Sequence, residues 1–310
     1  MCQTRPVPAL YTAGAVTTRP YEPDDAAAAA RLSAACQRGE TDFVLNPLWE
    51  SEPELAAEFG RHGIDPTEHL LVAEAGDGAV VGMSGFLRGP KQTMAGLVCP
   101  VVDRSERGQG LGGELLRSAL ELGANRLGIK LATAGIGTRN RAGYALLTAH
   151  GFRPVRQHFL MRCDEKPEPP RKTVEGIELE AAGPDDVDTI LEIYAACGFE
   201  TRTPERMRVV FEDGRHFHAV ARHGSRVVAF TELETHWPRR VWVAYVGVSS
   251  ELRDRGVGSS LVAWAVANQF DGAANSALLM LSPANRTALR AYEKVGFRRF
   301  RLIDVLEKGL

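Results

Sequence analysis

The chain has 310 residues, more than most single domains, which favours two domains that each bury a core of their own. Its 44% hydrophobic and 25% charged residues are typical of a globular protein, and the formal net charge of −2 excludes a general attraction to nucleic acid or to anionic membranes. The sequence shows neither a signal peptide nor a membrane-spanning stretch, so we predict a cytoplasmic protein.

Cysteine and histidine residues give no sign of a metal site. The five cysteines are scattered and odd in number, which predicts reduced thiols, most of them buried, rather than disulfides. His216 and His218 fall on one face of a predicted strand, but no acidic or cysteine partner stands at ligand spacing. We therefore expect no metal.

The first half of the chain predicts alternating strands and helices. A short strand at Val16–Arg19 precedes a helix that starts at Pro23–Asp25, where proline and acidic residues suit a helix N-terminus. Leu70–Glu74 and Val80–Phe86 predict a hairpin around a Gly-Asp-Gly turn. The strand Met94–Val102 then runs into a glycine-rich loop, and an amphipathic helix, another strand, a last helix, Gly-Phe and, as in the second half, a last strand follow it.

The second half repeats this order about 145 to 160 residues later, with roughly 15 residues fewer between its first helix and its second strand. The excess in the first half falls within Arg38–His69, where we expect Trp49 to pack in a core, although it could also cover a pocket or an interface. The predicted strands of the second half are Ile177–Glu180, Phe217–Ala221, Val227–Thr235, Val241–Val248 and Ala277–Leu281.

The sequence thus predicts an α/β (α+β) protein with two tandem domains of one fold. The first domain spans residues 1–163, of which 1–13 are expected to be a flexible tail. A charged, proline-rich linker at residues 164–175 leads to the second domain at residues 176–310.

Two glycine-rich segments carry the clearest functional signal. They are Arg107-Gly108-Gln109-Gly110-Leu111-Gly112 and Arg253-Asp254-Arg255-Gly256-Val257-Gly258. Glycines let the backbone approach a ligand, and the N–H groups and dipole of the following helix favour a pyrophosphate there. Each segment follows a strand and opens a helix, so both predict anion sites, in which the arginines would also meet phosphates.

Both segments resemble the cofactor loop, Gln/Arg-x-x-Gly-x-Gly/Ala, of the GCN5-related N-acetyltransferase (GNAT) superfamily. A later signature of that family, an asparagine followed by an alanine-rich helix, a tyrosine and Gly-Phe, is matched by Asn285, Tyr292 and Gly296-Phe297. The first half retains Asn140 and Gly151-Phe152. The resemblance covers about Val16 to Leu306, and the tandem layout is similar to that of mycothiol synthase and other two-domain acetyltransferases.

The resemblance implies that each domain has a mixed, mostly antiparallel sheet with a splayed parallel strand pair, flanked by helices, and binds acetyl-CoA or another short acyl-CoA in the splay. The pantetheine arm would pair with backbone at Val246–Val248 or Pro100–Val102, where proline removes one donor. The candidate cofactor-binding residues are Val101, Val102, Arg107, Gly108, Gln109, Gly110, Leu111, Gly112, Gly113 and Asn140 in the first domain, and Val246, Gly247, Val248, Arg253, Asp254, Arg255, Gly256, Val257, Gly258, Ser259 and Asn285 in the second.

The two domains differ in the catalytic residues that the resemblance implies. Tyr292 stands where the family's general acid usually lies, although an aromatic residue on such a helix could also serve packing. The matching residue of the first domain is Leu147, which has no proton to donate, and Tyr144 lies one helical turn too early.

Candidates for a general base are less specific. Glu232 and Glu234 share one face of a predicted strand with His236, and Tyr245 stands across from them, so either carboxylate could deprotonate an amine through water. An equally good interpretation is that they are solvated residues of an edge strand. The corresponding strands of the first domain carry no carboxylate.

The leading hypothesis is an acetyl-CoA-dependent N-acetyltransferase that transfers an acetyl or other short acyl group directly to a small-molecule amine. Chemistry is expected in the C-terminal domain, while the N-terminal domain binds coenzyme A or serves structure. The alternatives are an acyl-CoA-binding module without transferase activity, or chemistry in the N-terminal domain. We expect no nucleic acid or membrane partner and either a monomer or a homodimer; the acceptor is left open.

Overall fold

The computed structural model describes residues 16–88, 92–168, 174–200 and 202–310. The predicted tail at residues 1–13 and the middle of the predicted linker lie outside these ranges. The chain divides into two compact units, Met1–Gln157 with Ile303–Leu310 and His158–Leu302, and each unit contains one of the glycine-rich loops.

The first unit is built on a sheet with the order β1-β2-β3-β4-β5, in which neighbours are antiparallel except for the parallel pair β4 and β5. Helices α1 and α4 both pack on this sheet. The elements are β1 (Val16–Pro20), α1 (Ala26–Arg38), α2 (Glu52–His62), α3 (Pro66–His69), β2 (Leu70–Ala75), β3 (Val80–Leu87), β4 (Met94–Val102), α4 (Leu111–Asn125), β5 (Leu131–Gly137), α5 (Arg141–Ala149) and β6 (Arg153–Cys163).

The second unit repeats this arrangement with the sheet order β7-β8-β9-β10-β11, where β10 and β11 are the parallel pair. Helices α6 and α8 pack on its sheet. The elements are β7 (Ile177–Ala181), α6 (Val187–Ala196), α7 (Pro204–Glu212), β8 (His216–His223), β9 (Arg226–Glu234), β10 (Arg240–Val248), α8 (Val257–Gly272), β11 (Ser276–Leu281), α9 (Arg286–Val295) and β12 (Arg298–Gly309). The predicted α/β class and the mixed sheets are confirmed.

The last strand of each repeat starts in the unit that its own repeat forms and ends in the sheet of the unit that the other repeat forms. Residues Phe159–Cys163 of β6 pair with β11, and residues Ile303–Gly309 of β12 pair with β5. The compact units therefore divide inside β6 and β12, whereas the boundaries expected at residues 163 and 176 follow the repeats along the sequence.

In both units the parallel strands separate early. Only Met94–Gly96 pairs with Leu131–Thr133 in the first unit, and only Arg240–Trp242 pairs with Ser276–Leu278 in the second. Register shifts in the β3–β4 and β9–β10 ladders occur just beyond this point. Such irregularities bend a strand and increase its twist, so each parallel pair opens into a wedge.

In each unit an arginine forms ion pairs that hold the start of the first helix. The arginine is on the first strand and its glutamate partner on the second in one unit, and the two residue types are exchanged in the other unit. Arg19 on β1 pairs with Glu74 on β2 and also with Asp25 at 2.8 Å. In the second unit the arginine is Arg222 on β8, which pairs with Glu180 on β7 and with Asp186 at 2.8 Å. Both aspartates also accept a backbone N–H three residues earlier, which fixes the entry into the helix.

Candidate active sites

Each unit has a cavity bounded by its glycine-rich loop, by the end of the strand before that loop and by the helix that starts at the asparagine. The volumes are about 930 Å³ in the first unit and about 800 Å³ in the second. The predicted cofactor-binding residues that line the first cavity are Val101, Val102, Arg107, Gly108, Gly110, Gly112, Gly113 and Asn140. Those that line the second are Val246, Val248, Arg253, Asp254, Gly256, Val257, Gly258, Ser259 and Asn285.

The two loops share one backbone conformation although their sequences differ. Gly108 and Gly110 have φ angles of 79° and 90°, and the matching Asp254 and Gly256 have 61° and 88°. Glycine adopts this left-handed region freely, and aspartate is one of the few other residues that tolerate it. Both loops end at the N-terminus of a long helix, whose first N–H groups have no acceptor within the helix. The arrangement is therefore suited to a diphosphate.

The loop arginines are engaged by the protein itself. Arg107 Nε donates to Val102 O at 2.9 Å, and Arg253 Nε donates to Val248 O at 3.1 Å. Arg107 also pairs with Asp42 at 3.0 Å. Each arginine thus ties its loop to the end of the preceding strand, and a contact with phosphate stays a prediction.

Tyr292 faces the second cavity from α9. Its ring meets Phe297 edge-on at 5.8 Å, and burial raises the pKa of its hydroxyl to about 12. The phenol is therefore protonated at neutral pH, as a proton donor requires. Asn285 begins the same helix and caps it by accepting the N–H of Ala288 at 3.1 Å.

The first cavity has no such donor at the matching place. Leu147, which is buried, lines it instead, and Tyr144 does not line it. Asn140 caps α5 by accepting the N–H of Gly143 at 2.8 Å, and its amide Nδ2 donates to Phe43 O at 3.2 Å. In this unit the asparagine amide already has an acceptor in the chain.

The two candidate bases lie on β9, which pairs with β8 on one side and with β10 on the other. The interpretation as solvated residues of an edge strand is therefore wrong, because Glu232 is fully buried in the middle of the sheet. Glu234 is half-buried at the end of the strand, opposite His216 and Trp242.

Glu232 is surrounded by cationic and imidazole groups. Arg202 binds it at 2.7 Å, and ring nitrogens of His216 and His218 lie at 3.2 and 3.7 Å. Burial alone would raise the pKa of Glu232, but the nearby ring nitrogens of His216 and His218 and the hydrogen bonds from Arg202 outweigh it and hold that pKa well below its ordinary value. The carboxylate is thus ionised and a weak base.

Arg202 and its aromatic neighbours belong to this site but are not apparent from the sequence. The guanidinium lies 5.6 Å from the ring centre of Tyr194 and 5.1 Å from that of Tyr245, which is favourable cation–π geometry. Tyr245 is opposite Glu232 in the β9–β10 ladder, as expected. Arg202 follows no motif, because it lies in a connection between helices and reaches the sheet only in the folded chain.

Two further observations concern the described residues as a whole. Within residues 16–88, 92–168, 174–200 and 202–310, no helix is long and apolar enough to cross a membrane. The same ranges contain no cluster of three or more His, Cys, Asp or Glu residues placed to bind a metal ion.

Comparison with known proteins gives one family. The sequence model of the Acetyltransferase (GNAT) family matches residues 36–152 and 187–297. Among curated proteins no sequence matches this chain. The structure is similar to that of a GCN5-related N-acetyltransferase from Sphaerobacter thermophilus, with 24% identity, a TM-score of 0.77 and coverage of 95% of both chains.

A second similar structure is a tandem GNAT protein from the clavulanic acid biosynthesis pathway. Its identity is 16%, its TM-score is 0.69, and the match covers 95% of this chain and 98% of that one. Both structures share the fold over nearly their whole length. The two family matches, together with the repeated loop and wedge, show that the chain belongs to the GNAT acetyltransferase family as a tandem acyltransferase of two such folds.

Proposed function

We propose that the chain transfers an acetyl or other short acyl group from coenzyme A to a small-molecule amine, and that the second unit does the chemistry. The observation that carries this proposal is the position of Tyr292 in a cavity that also contains the second glycine-rich loop. The first cavity has the loop but has Leu147 at the matching place.

In the proposed reaction the loop at Gly256–Ser259 binds the diphosphate and the backbone of β10 beyond Tyr245 pairs with the pantetheine arm. The free amine attacks the thioester carbonyl directly, the attacking nitrogen gives up its extra proton to water, and the tetrahedral intermediate expels the coenzyme A thiolate. Tyr292 then donates its proton to the leaving sulfur. Because its pKa is raised to about 12, the phenol is protonated at neutral pH and has a proton to supply in this step.

We propose Glu234, rather than Glu232, as the group that accepts the proton of the ammonium substrate through water. Glu234 is half-buried at the end of β9, whereas Glu232 is enclosed and held by Arg202. A carboxylate whose pKa is strongly lowered takes up a proton poorly, so Glu232 fits a structural role beneath Arg202. Arg202 in turn lies over the rings of Tyr194 and Tyr245, so Glu232 belongs to one packed cluster with these side chains.

For the first unit we propose coenzyme A binding without transfer. Its cavity is the larger of the two, and its loop has the same left-handed residues at corresponding positions. Binding requires only backbone amides and space, both of which are present. Transfer requires a proton donor as well, and Leu147 has none.

The test is release of coenzyme A thiol from acetyl-CoA with a panel of small amines, measured on the full chain. We expect at least one amine class to accelerate thiol release well above the rate of hydrolysis. Acetyl-CoA that binds while no amine accelerates release would favour the alternative, an acyl-CoA-binding module.

A further inference from the structure

In the first unit a segment of the chain lies inside the wedge between β4 and β5. Leu45 N donates to Gly135 O at 2.8 Å, Gly137 N donates to Phe43 O at 3.0 Å, and Val44 forms an antiparallel bridge with Ile136. On the other side, Cys99 N of β4 donates to Asn46 O at 2.9 Å. The segment is therefore hydrogen-bonded to both strands at the point where they have separated.

Side chains of the surrounding elements donate hydrogen bonds to several backbone carbonyl groups in and next to the segment. Gln37, which is 4% exposed at the end of α1, donates to Val44 O at 3.0 Å and also to Pro47 O. Cys36 Sγ donates to Asp42 O at 2.7 Å, and Asn140 donates to Phe43 O. Buried carbonyls without partners are costly, so this set of donors favours one position of the segment.

Ion pairs connect the segment to the residues that follow each of the two separated strands. Asp42 pairs with Arg107 of the glycine-rich loop at 3.0 Å, and Glu40 pairs with Arg139 just before α5. We call Glu40–Asn46 the strap. Within the strap, Asp42 and Val44 form part of the cavity wall.

The second unit differs at the positions that receive the strap. A Cβ added at Gly135 would lie 2.8 Å from Leu45 Cβ, so a larger residue there would displace the strap, and a Cβ added at Gly96 would lie 2.8 Å from Asn46 Nδ2, so the Asn46 side chain would have to move. Their counterparts in the second unit are Trp242 and Met280. Gln37 is likewise replaced by Gly198.

The hydrogen bonds of the second wedge agree with this difference. Among the described residues 197–200 and 202–203, no backbone hydrogen bond to β11 is present. The described residues between α6 and α7 therefore lack the backbone pairing with β11 that the strap makes with β5.

We propose that the strap closes the far side of the first wedge, so that this unit holds coenzyme A or its short acyl thioester out of reach of an amine. The proposal rests on the coenzyme A site proposed above for the first unit. A nucleophile approaching through the sheet must pass between the separated strands, and the strap fills that passage. Closure by the strap, in addition to Leu147, makes the first unit a receptor for the cofactor.

The experiment uses the full chain with Ser259→Glu, which places a carboxylate in the second diphosphate site. Acetyl-CoA is mixed with excess protein, and hydroxylamine serves as a small nucleophile that attacks the thioester. We expect the bound thioester to disappear at least tenfold more slowly than free acetyl-CoA. Amide exchange of Leu45, Cys99 and Gly137, measured in parallel, is expected to be at least a hundredfold slower than in an unfolded chain.

Two further variants open the strap in the same background. Gln37→Gly removes the hydrogen bonds to Val44 O in the strap and to Pro47 O just after it. Gly135→Met introduces the methionine that the second unit has at the matching position, Met280, and places it against Leu45. Each is expected to lower amide protection at least tenfold and to bring hydroxylamine reactivity to within threefold of that of free acetyl-CoA. Ser33→Gly, in the same helix as Gln37, is the control and is expected to retain both kinds of protection; the Ser33 hydroxyl makes no hydrogen bond among the described residues.

Several results would overturn the proposal. One is fast amide exchange in the parent chain, and another is a bound thioester that reacts at the free rate. A third is a strap that has lost its amide protection while the thioester stays protected. If the Ser259→Glu chain binds no acetyl-CoA, the coenzyme A site of the first unit is wrong and the receptor role falls with it, whereas the amide exchange still reports whether the strap is seated.

Discussion

The two units present the same backbone loop in front of different wedges. Both loops have left-handed residues at corresponding positions and an arginine bound to the preceding strand. The second wedge faces Tyr292, whereas the first faces Leu147 and contains the strap. The loop backbone, which is suited to a diphosphate, is thus the same in both units although the side chains around it differ.

The largest effect is expected from a matched pair of substitutions at the third residue of α8 and of α4. Ser259→Glu and Gly113→Glu each place a carboxylate where the diphosphate would lie, and glutamate near a helix N-terminus does not destabilise the helix. We expect Ser259→Glu to lower kcat/KM for acetyl-CoA about a thousandfold, equivalent to about 4 kcal/mol. The loss in Gly113→Glu should be at least tenfold smaller.

Calorimetric titration provides the control for this pair. The unaltered chain should bind two equivalents of acetyl-CoA, and each variant should bind one. A larger loss of turnover in Gly113→Glu would place the chemistry in the first unit.

Tyr292→Phe should lower kcat about a hundredfold, the lower end of the range for general acid catalysis, while KM for acetyl-CoA changes less than about threefold. The exposed Tyr144→Phe is the matched control in the first unit. Because the pKa of Tyr292 is raised to about 12, the tyrosine should cause no loss of activity below about pH 10. An unchanged kcat in Tyr292→Phe at every pH would remove Tyr292 from the mechanism.

Much of the difference between the two cavities was predictable from the sequence, because the residues that indicate it lie close together in the chain. The glycine-rich loops, the two asparagines and the contrast between Tyr292 and Leu147 stand at fixed spacing in the sequence. The strap was not predicted, because its contacts to the strands are backbone hydrogen bonds that impose no residue pattern and its side-chain partners are far apart in the sequence. Its sequence signals are Gly96, Gly135 and Gln37, where the second unit has Trp242, Met280 and Gly198, and they can be interpreted only once the contacts are known.

The sheet that each last strand joins could not be predicted from the sequence either. Both β6 and β12 were expected from their repeats, but nothing in a strand's own residues tells which of two similar sheets it joins. The burial of Glu232 was missed for a related reason. Its partners come from two segments, Arg202 from the connection between α6 and α7 and His216 and His218 from β8, and only tertiary structure brings them together around Glu232.

A smaller effect, on stability, tests whether the exchanged ion pairs are equivalent. Arg19→Glu leaves the buried Asp25 without its arginine and should lower the free energy of unfolding by about 2 to 3 kcal/mol. Adding Glu74→Arg recreates the arrangement of Arg222 and Glu180 and should recover most of that loss. Denaturant unfolding measures both, and no recovery in the double variant would show that the two arrangements are not interchangeable.

Acid should weaken the same contact. Burial tends to raise the pKa of Asp25, but its hydrogen bonds to Arg19 and to the backbone of Glu22 outweigh this, and the pKa is lowered. The folded state therefore gains stability above the unfolded pKa of about 3.9 and loses it as pH falls through the lower folded value. Asp25→Asn should be less stable near neutral pH and should lose less stability on acidification, as measured by unfolding at pH 7 and pH 3.

The smallest effect is expected for the two cap asparagines. Asn285→Ala removes a helix cap and should cost about 1 kcal/mol of stability. Asn140→Ala removes a cap and also the bond to Phe43 O, so its cost should exceed that of Asn285→Ala by about 1 kcal/mol. Equal costs in thermal unfolding would indicate that Asn140 does not stabilise the strap.

A crystal structure of the full chain with a coenzyme A thioester would show which unit does the chemistry. We expect a diphosphate on the amides of Gly256–Ser259 with the thioester sulfur within hydrogen-bonding distance of Tyr292 Oη, and a second molecule in the first unit with the strap in place. A thioester distant from Tyr292, or a strap displaced by the ligand so that the first wedge opens, would contradict this expectation.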